Sequence, residues 1–464
     1  MSTNLAGQVL EQTQLHEEIS IDDSLKPKQE SDRTIGSVPY MFMWIGDGVN
    51  LGNMTLGASL IVAGVATLNV FQTFVAAMIA IAIISVIFAI NDRFGYRTGI
   101  PYVVQLRMSF GIKGSIISSF LRGVPAIVWY GFQSWVGATA LNEIVKVLSG
   151  GSLDSIPVCF ILLQAVQIVL SLYGFHAIKW VETLASVVIM LALVYVFTLL
   201  LNSHSSAITE NWVNAKGTWG LPFFAFIMVF LGNYAAIFLS AGDYSRELKS
   251  GMSDKKRSML YFFPIVIAYG FVLTIGAMMA AATGISNPVK AFAVIVDNPY
   301  ITVFVSAFIV IGAVAVNMVA NIVPPAYVIS LVTKLKYKAS VVITGLLALC
   351  SFPWVLVQDS SAQGLNTFIL IYSAFLGPIV SIMLVEYYIL RKQKVDTAEL
   401  YLDNGSFKGY NPSALIAMLI GAGAAFLLVD IGWIIGFITA GLSYLLLSKF
   451  AFKGSSFKKG TIYE

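Results

Sequence analysis

The sequence predicts an all-α integral membrane protein with twelve transmembrane helices, and three observations carry that expectation. Of its 464 residues, 58% are hydrophobic and only 11% charged, with a mean hydropathy of +0.82, too little charge to keep a chain of this size soluble. Apolar stretches of helical length recur across residues 38–450, whereas a transmembrane β-strand needs only about ten residues. Lysine and arginine alternate between successive loops, as repeated crossings require.

The elements follow in order. The polar, acidic N-terminal 36 residues have no basic region leading into an apolar core and cleavage site, so they read as a mobile cytosolic tail and not as a signal peptide. Breaks at charged and Gly/Pro-rich points then define spans at 37–63, 69–90, 115–148, 156–173, 180–201 and 219–241. The second six lie at 259–283, 300–333, 339–357, 365–390, 412–428 and 431–450, followed by a cytosolic tail at 451–464. With the N-terminus in the cytosol, 24 of the 28 Lys and Arg residues fall in cytosolic segments, five of them (Arg246, Lys249, Lys255, Lys256 and Arg257) in the loop after the sixth span. The other side keeps Lys146, Lys216 and Lys290, and Arg122 lies inside the third span near its cytosolic end. This positive-inside pattern puts both termini in the cytosol at the plasma (inner) membrane. It also accounts for the net charge of +4 without nucleic acid as a partner.

Two spans read poorly as plain helices. The first contains Gly46-Asp47-Gly48-Val49-Asn50-Leu51-Gly52-Asn53, and the sixth contains Gly232-Asn233-Tyr234-Ala235-Ala236. Backbone opens inside a bilayer only against protein or a wet cavity, and paired interruptions five spans apart point to an inverted-repeat transporter with its site at the breaks. The alternative is that the glycines only let helices approach closely. Asp47 and Asn50 argue against it, because close approach does not require them.

Candidate functional side chains cluster in three spans. Asp47 is the acid nearest mid-depth, and reads either as a proton- or cation-coupling group or as a carboxyl capping the second half of a broken helix. Trp129 and Gln133, four residues apart in the third span, share a helix face and offer a flat ring beside an amide. Asn317 and Asn321, also four apart, precede Pro324 and Pro325 in the eighth span. Their amides suit the alternating N–H and C=O edge of a ureide or pyrimidine, or else link helices and repair the backbone around the prolines. Asp243 and Arg246 read as a salt bridge or cap at the cytosolic end of the sixth span. Cys159 and Cys350 sit in apolar runs without metal-ligand spacing. No nucleophile–base pair or phosphate loop supports an enzyme, and no cofactor or obligate protein partner is indicated.

These residues carry a resemblance. Trp129-x-Gly131-x-Gln133, Ala320-Asn321-Ile322-x-Pro324, the Gly- and Asn-bearing first span and the 99–111 loop with Arg107 resemble the nucleobase:cation symporters, which include hydantoin, allantoin, uracil and cytosine permeases. The resemblance covers nearly all the chain after the tail. It implies the leucine-transporter type of five-plus-five inverted repeat (about 37–201 and 219–390) with two added helices in 411–450. It also implies a nucleobase-like ring held between Trp129 and a sixth-helix aromatic, here Tyr234, with Gln133, Asn321 and Asn50 on its edge and Asn317 nearby. Sodium-coupled members carry hydroxyls just before the eighth-helix asparagine, where this chain reads Gly312-Ala313-Val314-Ala315-Val316. A hard cation needs oxygen ligands, so the sodium site is impoverished and a proton, through Asp47, competes as the coupling ion. The expected function is import of a nucleobase, ureide or hydantoin coupled to H+ or Na+ by alternating access. An amino-acid or amine symporter of the same fold is the alternative within transport; a passive channel or membrane enzyme is the alternative outside it.

Overall fold

Helices dominate the chain over the residues that the computed structural model describes, namely 22–61, 68–172, 175–296, 298–357, 363–452 and 454–464. The one β contact among them is a bridge between Ile35 and Leu248. Among the described residues, seven helices are long and apolar enough to cross a membrane, or eight if Met190–Ser203 and Ser205–Asn214, bent by 92°, form one crossing. Shorter apolar helices such as Ile156–Ser171, Tyr337–Leu349 and Pro412–Leu427 lie between them. The chain is an all-helical integral membrane protein.

Local chemistry sets the helix ends. Val70–Thr98 opens on a capping box in which Asn69 Oδ1 accepts the Gln72 N–H at 2.8 Å and Gln72 Oε1 accepts the Asn69 N–H at 3.1 Å. It closes on Gly99 at φ 71°, a left-handed position that a glycine adopts without strain.

The first span is interrupted where its glycines and asparagines suggest. Helices Ser37–Gly48 and Leu51–Ser59 flank Val49 and Asn50, and side-chain amides satisfy the freed backbone groups. Asn50 Nδ2 donates to the Asp47 carbonyl at 2.6 Å, Asn53 Nδ2 donates to the Gly48 carbonyl at 2.9 Å, and Asn50 Oδ1 accepts the Asn53 N–H at 2.9 Å. The cap of the second half is therefore Asn50, and the Asp47 carboxyl is not used for it.

Four expectations are corrected. The sixth span has no break at 232–236: helix Leu221–Leu239 runs through it and turns only at Ser240, before the short helix Ala241–Ser245. Asn233 does not compete for its own backbone, because its Nδ2 donates to Asn53 Oδ1 at 2.7 Å, and Gly232 serves packing, since an added Cβ would lie 3.0 Å from Ser373. The 99–111 loop contains a buried nine-residue helix, Tyr102–Phe110. Asp243 Oδ1 accepts the Tyr102 N–H at 2.8 Å, so this acid caps that helix, while Arg246 Nη2 donates to the Ser24 carbonyl at 2.7 Å and its guanidinium lies 5.6 Å from the Tyr327 ring centre. The N-terminal tail, finally, is built into the fold from Asp22 onward. Arg33 is buried and donates to the Tyr96 carbonyl at 2.7 Å, Lys28 pairs with Glu247, and Tyr401 donates its hydroxyl to the Leu25 carbonyl at 2.9 Å.

Those contacts gather the Lys/Arg-bearing connections onto one basic face. There Arg257, which follows the sixth span, pairs with Asp92 of Val70–Thr98 at 2.9 Å, both about 2% exposed, and stacks 4.0 Å over the Tyr96 ring. Removing one member of a buried pair strands the other charge. Arg257→Ala is expected to cost about 3–5 kcal/mol and to lower the melting temperature of the detergent-purified protein by several degrees; an unchanged melting curve would show that the pair does not lock these helices.

Candidate functional site

At the break in the first span, its two halves meet the third, sixth and eighth spans around a small cavity. Trp129, Gln133, Asn321, Tyr234, Asn50 and Asp47 all line it. Trp129 is held from behind: its Nε1–H donates to the Tyr372 hydroxyl at 3.2 Å, and Phe132 meets its ring edge-on at a centroid distance of 5.3 Å. The indole is thereby a fixed flat wall. Gln133, one turn on, donates Nε2 to Asn50 Oδ1 at 2.9 Å, which ties the third span to the break. Tyr234 lies against Tyr269 with ring centres 4.5 Å apart.

On this wall Gln133 Oε1 and Arg122 Nε are buried without a hydrogen-bond partner, while the Asp47 carboxyl and the Tyr234 hydroxyl face one another. An open amide oxygen and an open guanidinium N–H on one wall suit a ligand that both donates and accepts hydrogen bonds.

Asn317 is not brought to the cavity. It is fully buried one layer behind, donating Nδ2 to the Tyr130 carbonyl, Ser134 Oγ and Gln167 Oε1 and accepting from Asn321 Nδ2 at 2.9 Å. Its amide is filled by protein, and its part is to orient Asn321.

Arg122, Asn53 and Asn233 also line the cavity; the two asparagines stand in the segments expected to hold the site, whereas Arg122 is expected only as a charge near the cytosolic end of the third span. The signal for Arg122 lay in Pro324: proline has no N–H to offer the carbonyl of Ala320 four residues earlier, and Arg122 Nη2 donates to that carbonyl at 3.2 Å.

Gly52 allows the close approach of these elements. A Cβ there would lie 2.9 Å from the Trp129 ring, 3.0 Å from Gln133 Nε2 and 3.2 Å from Asn50 Oδ1. Gly52→Ala is expected to displace the ring wall and the Gln133–Asn50 bond, and so to weaken substrate binding about tenfold or more, at the usual cost of overpacking. Wild-type affinity in a folded Gly52→Ala protein would contradict that geometry.

A bundle of apolar helices that encloses a polar, aromatic-walled cavity at a helix break is the construction of a membrane permease. The comparisons with known proteins agree. The family model for permeases for cytosine/purines, uracil, thiamine and allantoin matches residues 27–446, so this chain belongs to that family. It is 27% identical to the hydantoin permease of Microbacterium maritypicum over 92% of this chain and 88% of that protein, and 26% identical to the allantoin permease of Bacillus subtilis over 92% and 93%. Among solved structures it is similar to Mhp1, a nucleobase-cation-symport-1 family transporter in a closed conformation with bromovinylhydantoin bound, at a TM-score of 0.83, 25% identity and coverage of 95% and 99%. A sialic acid symporter shares the fold at a TM-score of 0.65 and 11% identity, covering 95% of each chain. The protein is a transporter and not an enzyme.

Proposed function

We propose that this permease imports a nucleobase or a related ureide or hydantoin across the plasma (inner) membrane, coupled to a cation, by alternating access. The observation that carries the reading is the meeting of Trp129, Gln133, Tyr234 and Asn321 in one cavity beside the broken first span. Trp129 and Tyr234 are the aromatic walls for a flat ring, and the amides are the readers of its edge. Twelve crossings, with the basic face in the cytosol, follow from the charge pattern, and repeats at about 37–201 and 219–390 rocking about the midplane site give the alternation. Saturable uptake into proteoliposomes with accelerated counterflow supports this reading; uptake that neither saturates nor shows counterflow would belong to a channel and overturn it.

The coupling ion in this reading is a proton. Gly312 and Ala313 of the eighth span open, with Val49 and Leu51, onto a mostly apolar cavity whose side-chain oxygens are those of Asn50 and Gln133, few for sodium. Asp47, buried beside the ring site and facing the Tyr234 hydroxyl, is the proton carrier.

A further inference from the structure

The polarity of the cavity wall is fixed by hydrogen bonds that run back from it to the peptide backbone, where an N–H can only donate and a carbonyl can only accept. Asn50 Oδ1 accepts the peptide N–H of Asn53, so the atom of Gln133 that meets it at 2.9 Å is the nitrogen, and Oε1 is left buried without a partner. Asn53 Nδ2 donates to the Gly48 carbonyl, so its Oδ1 accepts, and the Asn233 nitrogen is committed there at 2.7 Å. Asn317 Nδ2 donates to the Tyr130 carbonyl, so its Oδ1 takes the Asn321 nitrogen at 2.9 Å. Each of these three cavity-lining amides has therefore given an N–H to the protein, Asn233 both of its own through a second bond to the Tyr269 hydroxyl at 3.3 Å, and their oxygens take no hydrogen bond from a described residue. The wall is therefore rich in acceptors.

The counterpart is Arg122. It stands two turns before Trp129 on the same helix face, is 1% exposed and lines the cavity. Its Nη2 is held by the Ala320 carbonyl at 3.2 Å and Ser240 Oγ at 3.4 Å, while its Nε has no partner. A guanidinium carries five N–H groups, cannot be deprotonated in a protein and cannot accept. It is the one cationic donor among the residues that line this cavity.

We propose that Arg122 binds a ring carbonyl while the amide oxygens of Gln133, Asn233 and Asn321 take ring or substituent N–H groups, so that the cavity selects neutral rings with unsubstituted nitrogens and an adjacent carbonyl. This rests on the reading of the cavity as the substrate site. It makes Arg122 a specificity-determining residue in addition to its bond to the eighth span. N-methylation would remove a donor and place a methyl group against an amide oxygen. Replacing the correct carbonyl by a thiocarbonyl, a weaker acceptor, would weaken the contact to Arg122 alone.

The test is direct binding to the purified full-length protein, by titration calorimetry, of hydantoin, allantoin and uracil, then of the N-methyl and thio analogues of whichever ring binds. In the wild type, N-methylation is expected to weaken binding at least about tenfold, and one thio analogue to bind more weakly than its oxo parent. In Arg122→Gln the oxo ring should weaken and that oxo-over-thio preference should vanish; Arg122→Lys, which keeps the charge, should retain part of it. N-methyl rings that bind as well as their parents, or an Arg122→Gln protein that loses affinity for oxo and thio rings equally, would overturn the proposal and leave Arg122 a structural residue. Should Arg122→Gln fail to fold, the wild-type N-methyl series and Arg122→Lys still decide it. Failure of all three parent rings to bind the wild type would overturn the substrate reading itself.

Discussion

Gln133→Ala is expected to weaken substrate binding by about 1–3 kcal/mol, roughly 5–150-fold in Kd, because a substrate N–H would enter the cavity and find no acceptor. The effect should be confined to binding. Asn50 Oδ1, which loses the Gln133 nitrogen, still accepts the Asn53 N–H, so the cap of the second half of the first span survives and the protein should insert and melt as the wild type does. Calorimetric titration of the variant and the wild type measures the loss. Equal affinities in a folded variant would remove Gln133 from the recognition edge and leave its bond to Asn50 as a link between helices.

Asp47→Asn is expected to abolish accumulation against a gradient while leaving exchange. The amide has the shape of the carboxyl and cannot carry a proton across, so the substrate site stays formed and only the coupling is lost. For one proton per substrate, a gradient of about two pH units supplies about 2.7 kcal/mol, roughly 100-fold accumulation; the variant should equilibrate substrate and no more, yet still show counterflow. Retained accumulation under a pH gradient would take Asp47 out of the coupling path. Loss of counterflow together with accumulation would make it part of the substrate site or of the fold.

What the sequence could disclose was whatever depends on short spacing. Trp129 and Gln133 lie four apart and so share a face; Asn50 sits among glycines where a helix must open, and both readings hold because one turn of helix contains all the information needed. Asp47 was legible as a mid-depth acid, but its exclusion from the cap was not, since that depended on Asn50 turning back onto the Asp47 and Gly48 region. Partners remote in the chain were illegible. Asn317 looks like a twin of Asn321, and only the arrival of Tyr130, Ser134 and Gln167 from 150 to 187 residues away consumes its amide and puts it behind the wall. Arg122 reads as a charge near a span end until the carbonyl freed by Pro324 draws it beside the cavity. The sixth span looks broken at 232–236 because Gly and Asn are poor helix formers, yet tertiary contacts to Asn53 and Ser373 override that weak preference. The segment after Asp22 is polar in sequence and looks free, but its partners, Tyr96, Glu247 and Tyr401, belong to three distant parts of the basic face.

The central claim, a proton-coupled importer of a nucleobase-like ring, is tested most directly by uptake in proteoliposomes of allantoin, hydantoin, uracil, cytosine, adenine, guanine and hypoxanthine, with pH and sodium gradients imposed separately. The account predicts that at least one of these rings accumulates under an inward proton gradient without sodium and that a protonophore abolishes the accumulation. Accumulation driven by a sodium gradient alone and insensitive to the protonophore would contradict the coupling, and no accumulation of any ring under either gradient would contradict the function.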